Sequence, residues 1–146
     1  MTSFLPQHIR LRSDLENIGP EQLQGFFEGW PAAPSAHTLH RMLTASYRAS
    51  LAVDTRSGEV VGFIQAISDG VLTAFIPLLE VRPEFRGQGT GRALVLYLLA
   101  QLDHLYAVDL SCDDALVPFY ERLGFVPGRA MIRRRYSSQS GESHRS

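Results

Sequence analysis

Leu78-Leu79-Glu80-Val81-Arg82-Pro83-Glu84-Phe85-Arg86-Gly87-Gln88-Gly89-Thr90-Gly91-Arg92 is the stretch of this chain whose residue types and spacing could do chemistry. An apolar run enters a loop with three alternating glycines, and a helical pattern follows at once. Glycine lets backbone amides approach a ligand with no Cβ in the way. The first turn of a helix offers unpaired N–H groups and the positive end of the helix dipole, a combination suited to phosphate. Arg86 and Arg92 flank the loop and can add charge-assisted hydrogen bonds. Two phosphate loops do not fit. Arg92 stands where a dinucleotide-binding Gly-x-Gly-x-x-Gly needs its third glycine, and a Walker loop needs Gly-Lys-Ser/Thr in a chain that has no lysine. An anion site for another phosphate ligand and a glycine-rich turn with no ligand are the readings left.

Other chemistries find less support. The five histidines show no metal spacing; His37 and His40 share a helical face, but a zinc site needs more ligands, so no metal is expected. No Gly-x-Ser-x-Gly elbow exists, and Cys112 has no electropositive motif around it, which disfavours an acyl-enzyme route. A lone cysteine cannot form an intramolecular disulfide and fits a cytoplasmic protein with one small buried thiol.

The elements that must position the loop alternate along the chain. Residues 9–12 read as a short strand, 21–28 and 37–45 as two short helices, the second with Ser35 as N-cap. Three strands follow, 47–54, 59–68 and 72–81, joined by turn-type residues into an antiparallel meander. Leu94, Val95, Leu98, Leu99 and Leu102 recur at helical spacing within 91–105. A strand over 106–112, a short helix over 116–123 ended by Gly124, and an extended segment over 125–135 complete the order. Strand, long helix, strand implies a right-handed parallel crossover. The fold class is therefore mixed α/β, a meander with a parallel joint flanked by helices. One domain over 1–136 is expected, with a polar, Ser-rich flexible tail over 137–146.

Composition narrows the function. The chain has 146 residues, 45% of them hydrophobic, and its 14 basic residues, all arginine, nearly balance 15 acidic ones. A core is affordable at this length, since roughly 68–70% of the unfolded surface can be buried. The near-neutral balance argues against nucleic acid or a membrane surface as partner, and the longest apolar run is too short to span a bilayer. Residues 1–12 lack a basic segment followed by an apolar one, so no secretory signal is expected.

Arg86-Gly87-Gln88-Gly89-Thr90-Gly91 resembles the Arg/Gln-x-x-Gly-x-Gly/Ala acetyl-CoA signature of the GNAT N-acetyltransferase superfamily, and Phe119-Tyr120-Glu121-Arg122-Leu123-Gly124-Phe125 resembles its Phe-Tyr-x-x-x-Gly-Phe marker. The order of elements agrees over residues 9–135. The resemblance implies a splayed sheet with the pantetheine arm in the gap, bound by backbone groups of Leu79 and Val81, while amides of Arg86, Gly87, Gln88, Gly89, Thr90, Gly91 and Arg92 hold the pyrophosphate. Pro77 fits a bulge in that strand.

The resemblance places the general acid at Tyr120: neutral at pH 7, a tyrosine can protonate the departing thiolate. A core tyrosine is the other reading. The base is open. The positions the family uses fall at Phe75, Pro77 and Val108, none of which can act. Glu80 and Asp109, each inside an apolar strand, are candidates for the base or for ion pairs with arginine. Asp113 stands where the family often has an asparagine that contacts pantetheine; Asp113 or Asp114 also suits a helix cap. Phe26, Phe27 and Trp30 either wall an acceptor pocket or pack under the sheet. Arg133, Arg134 and Arg135 reach solvent or the CoA phosphates. The expectation is direct transfer of acetyl from acetyl-CoA to a primary amine of a small molecule or peptide, by a chain for which a homodimer stays open. The competing expectation is a non-catalytic acyl-CoA-binding or sensing module.

Overall fold

A computed structural model describes residues 5–142. Its elements in chain order are β1 (Ile9–Arg12), α1 (Ala36–Ala45), β2 (Arg48–Asp54), β3 (Val60–Ser68), β4 (Thr73–Ile76), β5 (Leu79–Val81), α2 (Thr90–Gln101), β6 (Ala107–Leu110) and α3 (Val117–Glu121). β1, β2, β3 and β4 pair antiparallel in sequence order, and β6 joins the far side of β4 in parallel, Thr73 opposite Ala107 and Ile76 opposite Leu110. The mixed architecture expected from the sequence is present.

The strand expected over 72–81 is two strands. Pro77 has no N–H for a ladder, and the chain breaks there. Before the break, β4 pairs with β6; after it, β5 pairs only with β3, with Gly62 opposite Val81 and Ile64 opposite Leu79. The sheet thus opens between β5 and the residues that follow β6, the splay the resemblance implied.

Helix α2 covers one face. Leu94, Val95 and Leu98 are fully buried against Ala52, Ile64, Ala74 and Ile76. Gly62 lets the start of α2 approach β3: a Cβ there would meet Leu94 Cδ1 at 3.0 Å and the Glu80 carbonyl oxygen at 3.3 Å. The opposite face of β2 and β3 is covered by α1 and the N-terminal loop, with Leu39, Leu43, Leu51 and Phe63 sealed between them. Ser35 caps α1 as expected, its hydroxyl oxygen accepting from Thr38 N at 3.1 Å. Pro118 sits in the first turn of α3, where its missing N–H costs nothing.

Two expectations need correction, and one segment is left without a partner. Residues 21–28 do not form a helix: a single 3-10 turn, Pro20–Gln22, gives way to irregular chain in which Gly25, Phe27 and Gly29 all have positive φ. Residues 125–135 pair with no described strand. Cys112 is exposed, not buried. Of the expected tail, Gln139 Oε1 accepts from Ala32 N at 3.2 Å and Glu142 accepts from the Thr38 hydroxyl at 3.4 Å; residues 143–146 lie outside the described residues.

Candidate active site

Two left-handed glycines shape the loop before α2, Gly87 at φ +77° and Gly89 at φ +85°, and no atom stands within 4 Å of where their Cβ atoms would be. Gly89 is the N-cap of α2 and no side chain caps that end. The Ala93 amide bonds back to the Gly89 carbonyl, which leaves the preceding amides of Thr90, Gly91 and Arg92 without helical acceptors. Positive and open, this end fits an anion. The Thr90 side chain does not share in it: the residue is 1% exposed and its hydroxyl is buried without a hydrogen-bond partner among the described residues. Gln88 and Arg92 are exposed beside the loop.

The arginines are less free than their number suggests. Arg86 Nε donates to the Val81 carbonyl at 2.9 Å, and its guanidinium lies 3.7 Å from Glu28. Arg82 donates to Glu59 at 2.8 Å and to Glu84 at 2.6 Å. Burial opposes its charge, but those two carboxylates prevail and raise its pKa. Arg82 therefore braces the loop; neither its position nor its type marked it out in the sequence.

On β5, ladder alternation assigns opposite directions to neighbouring backbone groups. Gln65 N bonds the Leu78 carbonyl and Arg82 N bonds the Val61 carbonyl, so the N–H groups of Leu79 and Val81 point away from β3 into the splay. The two motifs meet there. A Cβ on Gly91 would lie 3.8 Å from Phe119 Cζ and 3.9 Å from Val81 Cγ2.

Tyr120 is 9% exposed, edge-on to Phe119 at 4.9 Å and to Phe125 at 5.6 Å between ring centroids. Burial pushes its hydroxyl pKa above 10, with a smaller contribution from the nearby Cys112 thiol. Tyr120 packs in the α2-side core and also lines a groove of about 1130 Å³ between β6 and residues 125–132.

The two candidate carboxylates do not sit on adjacent strands. Glu80 faces Phe63 on β3, and its Oε1 accepts from the Phe27 amide at 3.0 Å. It makes no ion pair with arginine among the described residues; it clamps the backbone of a residue held at φ +65°. Asp109 lies opposite Phe75 on β6 and is exposed, so the burial that first drew attention to it is absent. Asp113 occupies the position before a short 3-10 turn but makes no side-chain cap. Phe26 and Phe27 pack on Phe63 at 5.0 and 6.2 Å, and Trp30 packs on Phe27 at 4.9 Å. His40 bonds the Ile18 carbonyl at 2.9 Å. Among the described residues no three His, Cys, Asp or Glu side chains cluster as a metal site, and no helix is long and apolar enough to cross a membrane.

A sequence model of the Acetyltransferase (GNAT) family matches residues 15–125, more than half of the chain. The chain belongs to that family. This GNAT chain superposes on the crystal structure of a candidate acetyltransferase from Deinococcus radiodurans R1 with a TM-score of 0.91 and 48% identity, covering 94% of this chain and 96% of the other. An uncharacterized N-acetyltransferase of Gracilaria tenuistipitata is 30% identical over 101 residues, 67% of this chain and 56% of its own length. This GNAT chain thus aligns with little more than half of that relative. An aminoglycoside N-acetyltransferase in complex with CoA shares the fold at a TM-score of 0.62 and 18% identity, covering 88% of this chain and 94% of that one.

Proposed function

We propose that this GNAT protein transfers an acetyl group from acetyl-CoA directly to a primary amine. The observation that carries the reading is the open N-terminus of α2: three amides without helical acceptors behind two left-handed glycines, beside a strand whose Leu79 and Val81 amides face the same gap. A diphosphate fits the first and an extended amide-bearing arm fits the second. Arg86, Gly87, Gln88, Gly89, Thr90, Gly91 and Arg92 would hold the diphosphate, Thr90 through its backbone alone. The CoA complex of the aminoglycoside enzyme, of like fold, supports that ligand.

Acetyl-CoA supplies an acyl carbon already activated as a thioester. In the transfer a C–N bond forms, the C–S bond breaks, the amine loses a proton and the sulfur gains one. Tyr120 Oη donates the proton to sulfur; neutral across the physiological range as any tyrosine is, its pKa is raised further by burial. The Val81 N–H polarises the carbonyl. Glu80 takes the amine proton, directly or through water, from its place beside the loop that carries Phe26, Phe27 and Trp30. Asp109, exposed on β6, is the weaker candidate.

Thiol release from acetyl-CoA, followed across a panel of amines, amino acids and peptides, tests the reading. Acceptor-dependent release is expected, with Glu80→Gln lowering turnover and Asp109→Asn leaving it near wild type. CoA binding with no release for any acceptor would instead favour a sensing module, the second reading, motivated by the inert residues Phe75, Pro77 and Val108 at the family's base positions.

A further inference from the structure

We propose that Cys112 exchanges with CoA disulfide, so that a covalently held CoA closes the acyl-donor site when CoA is oxidised. The proposal rests on the reading of the α2 N-terminus and the β5 amides as a CoA site. Its own observations lie across the gap, where the chain leaves β6.

Cys112 follows the last residue of β6 by two positions, in the stretch from which β5 parts. It is exposed, and it is the one cysteine of the chain. Cys112 and Tyr120 line the same groove. Tyr120 is 9% exposed, yet its hydroxyl has no hydrogen-bond partner among the described residues. A polar group so buried and still unpaired at the wall of a groove is one that a ligand completes. Burial, and after it the charge of the Cys112 sulfur, raises the pKa of that hydroxyl, so thiol and hydroxyl share one corner. Any sulfur that takes its proton from Tyr120 comes to rest beside Cys112.

Charge selects the disulfide. Asp113 follows the cysteine directly, and Asp114 and Glu121 border the groove. None of the three has an ion-pair partner among the described residues. They repel a small anionic disulfide such as glutathione disulfide. CoA disulfide is anionic too, but its phosphates belong at the α2 N-terminus, and the arm along β5 brings only uncharged atoms to the thiol. Tethered in this way, the exchange becomes effectively intramolecular. The Cys112 thiolate attacks the sulfur of the held half, an S–S bond forms between protein and CoA, and the original S–S bond breaks. The other half leaves as a thiolate, takes a proton from Tyr120 and is thereby the reduced product; the proton that Cys112 gave to water restores the tyrosine. With no second cysteine in the chain, the mixed disulfide persists until an external thiol displaces it.

Intact-mass spectrometry of the full chain incubated with CoA disulfide, beside calorimetry with reduced CoA, tests the proposal. One CoA per chain is expected to add, to come off with dithiothreitol, and to be absent in Cys112→Ser. The rate should saturate with CoA disulfide, slow when acetyl-CoA is present, and exceed that of glutathione disulfide at equal concentration by at least about tenfold. The capped protein should bind no acetyl-CoA until dithiothreitol restores it. CoA binding in calorimetry without an adduct overturns the proposal and leaves the acyl-donor reading standing. An adduct that forms no faster than from glutathione disulfide, or that persists in Cys112→Ser, does the same. Failure of CoA to bind at all overturns both.

Discussion

Tyr120 has two environments at once, a ring wedged edge-on between Phe119 and Phe125 and a face on the groove beside β6. The packing would be the same for phenylalanine, so Tyr120→Phe separates the hydroxyl from the ring. If Tyr120 is the acid, turnover should fall by about 10²-fold or more while CoA affinity measured by calorimetry stays near wild type. The pH dependence follows from the raised pKa. The hydroxyl's pKa is raised above the ordinary value of 10, so the alkaline decline in activity due to this group is centred above pH 10 and should vanish in the variant. Linkage has the same sign: above pH 10 the unfolded tyrosine ionises while the folded one keeps its proton, so its contribution to stability is full below that pH and is lost as pH rises. An unchanged rate in Tyr120→Phe would return the residue to the core.

Gly62 and Gly89 govern how β3, β5 and α2 converge on the site, for different reasons. Gly89 is required by conformation, at φ +85° with open space around it; Gly62 is required by close approach, with Leu94, the Glu80 carbonyl and the Thr90 methyl all within 3.5 Å of an added Cβ. Gly62→Ala must push the start of α2 away from the sheet. A loss of about 1–3 kcal/mol in urea unfolding is expected, with weaker CoA binding because the displaced element carries the amides proposed to hold the diphosphate. The glycine signature was legible because its spacing reports backbone geometry. Gly62 was not, since its need arises from a helix thirty residues away along the chain, roughly.

In the assembled chain the sheet opens where β5, paired only with β3, parts from β6. Absence of lysine bears on the proposed acetyl transfer: a chain with no lysine side-chain amine offers few sites of its own to modify. On prolonged incubation with acetyl-CoA, intact-mass spectrometry should find at most the N-terminal amine and the exposed Cys112 acetylated, and the cysteine adduct should be removed by hydroxylamine. The local positive charge of the signature loop looked like a phosphate clamp in the sequence. In the fold Arg82 is engaged by Glu59 and Glu84 and Arg86 by the Val81 carbonyl, which leaves the open amides as the larger part of the proposed anion site.

Sequence by itself determined the glycine loop, the Ser35 cap, the family and most of the element order, the helix over 21–28 and the unbroken strand over 72–81 excepted, because each depends on residues near one another in the chain. Tertiary structure alone decided what the carboxylates do. Glu80 read as a base or an arginine partner and is found clamping the Phe27 amide, a bond between residues 53 positions apart. Asp109 read as buried and is exposed, because β6 is an edge and nothing described covers that face. The helix expected over 21–28 fails where Gly25, Phe27 and Gly29 turn left-handed to seat two phenylalanines on Phe63. Local propensity sets the elements, and long-range packing selects which polar groups are left facing the gap.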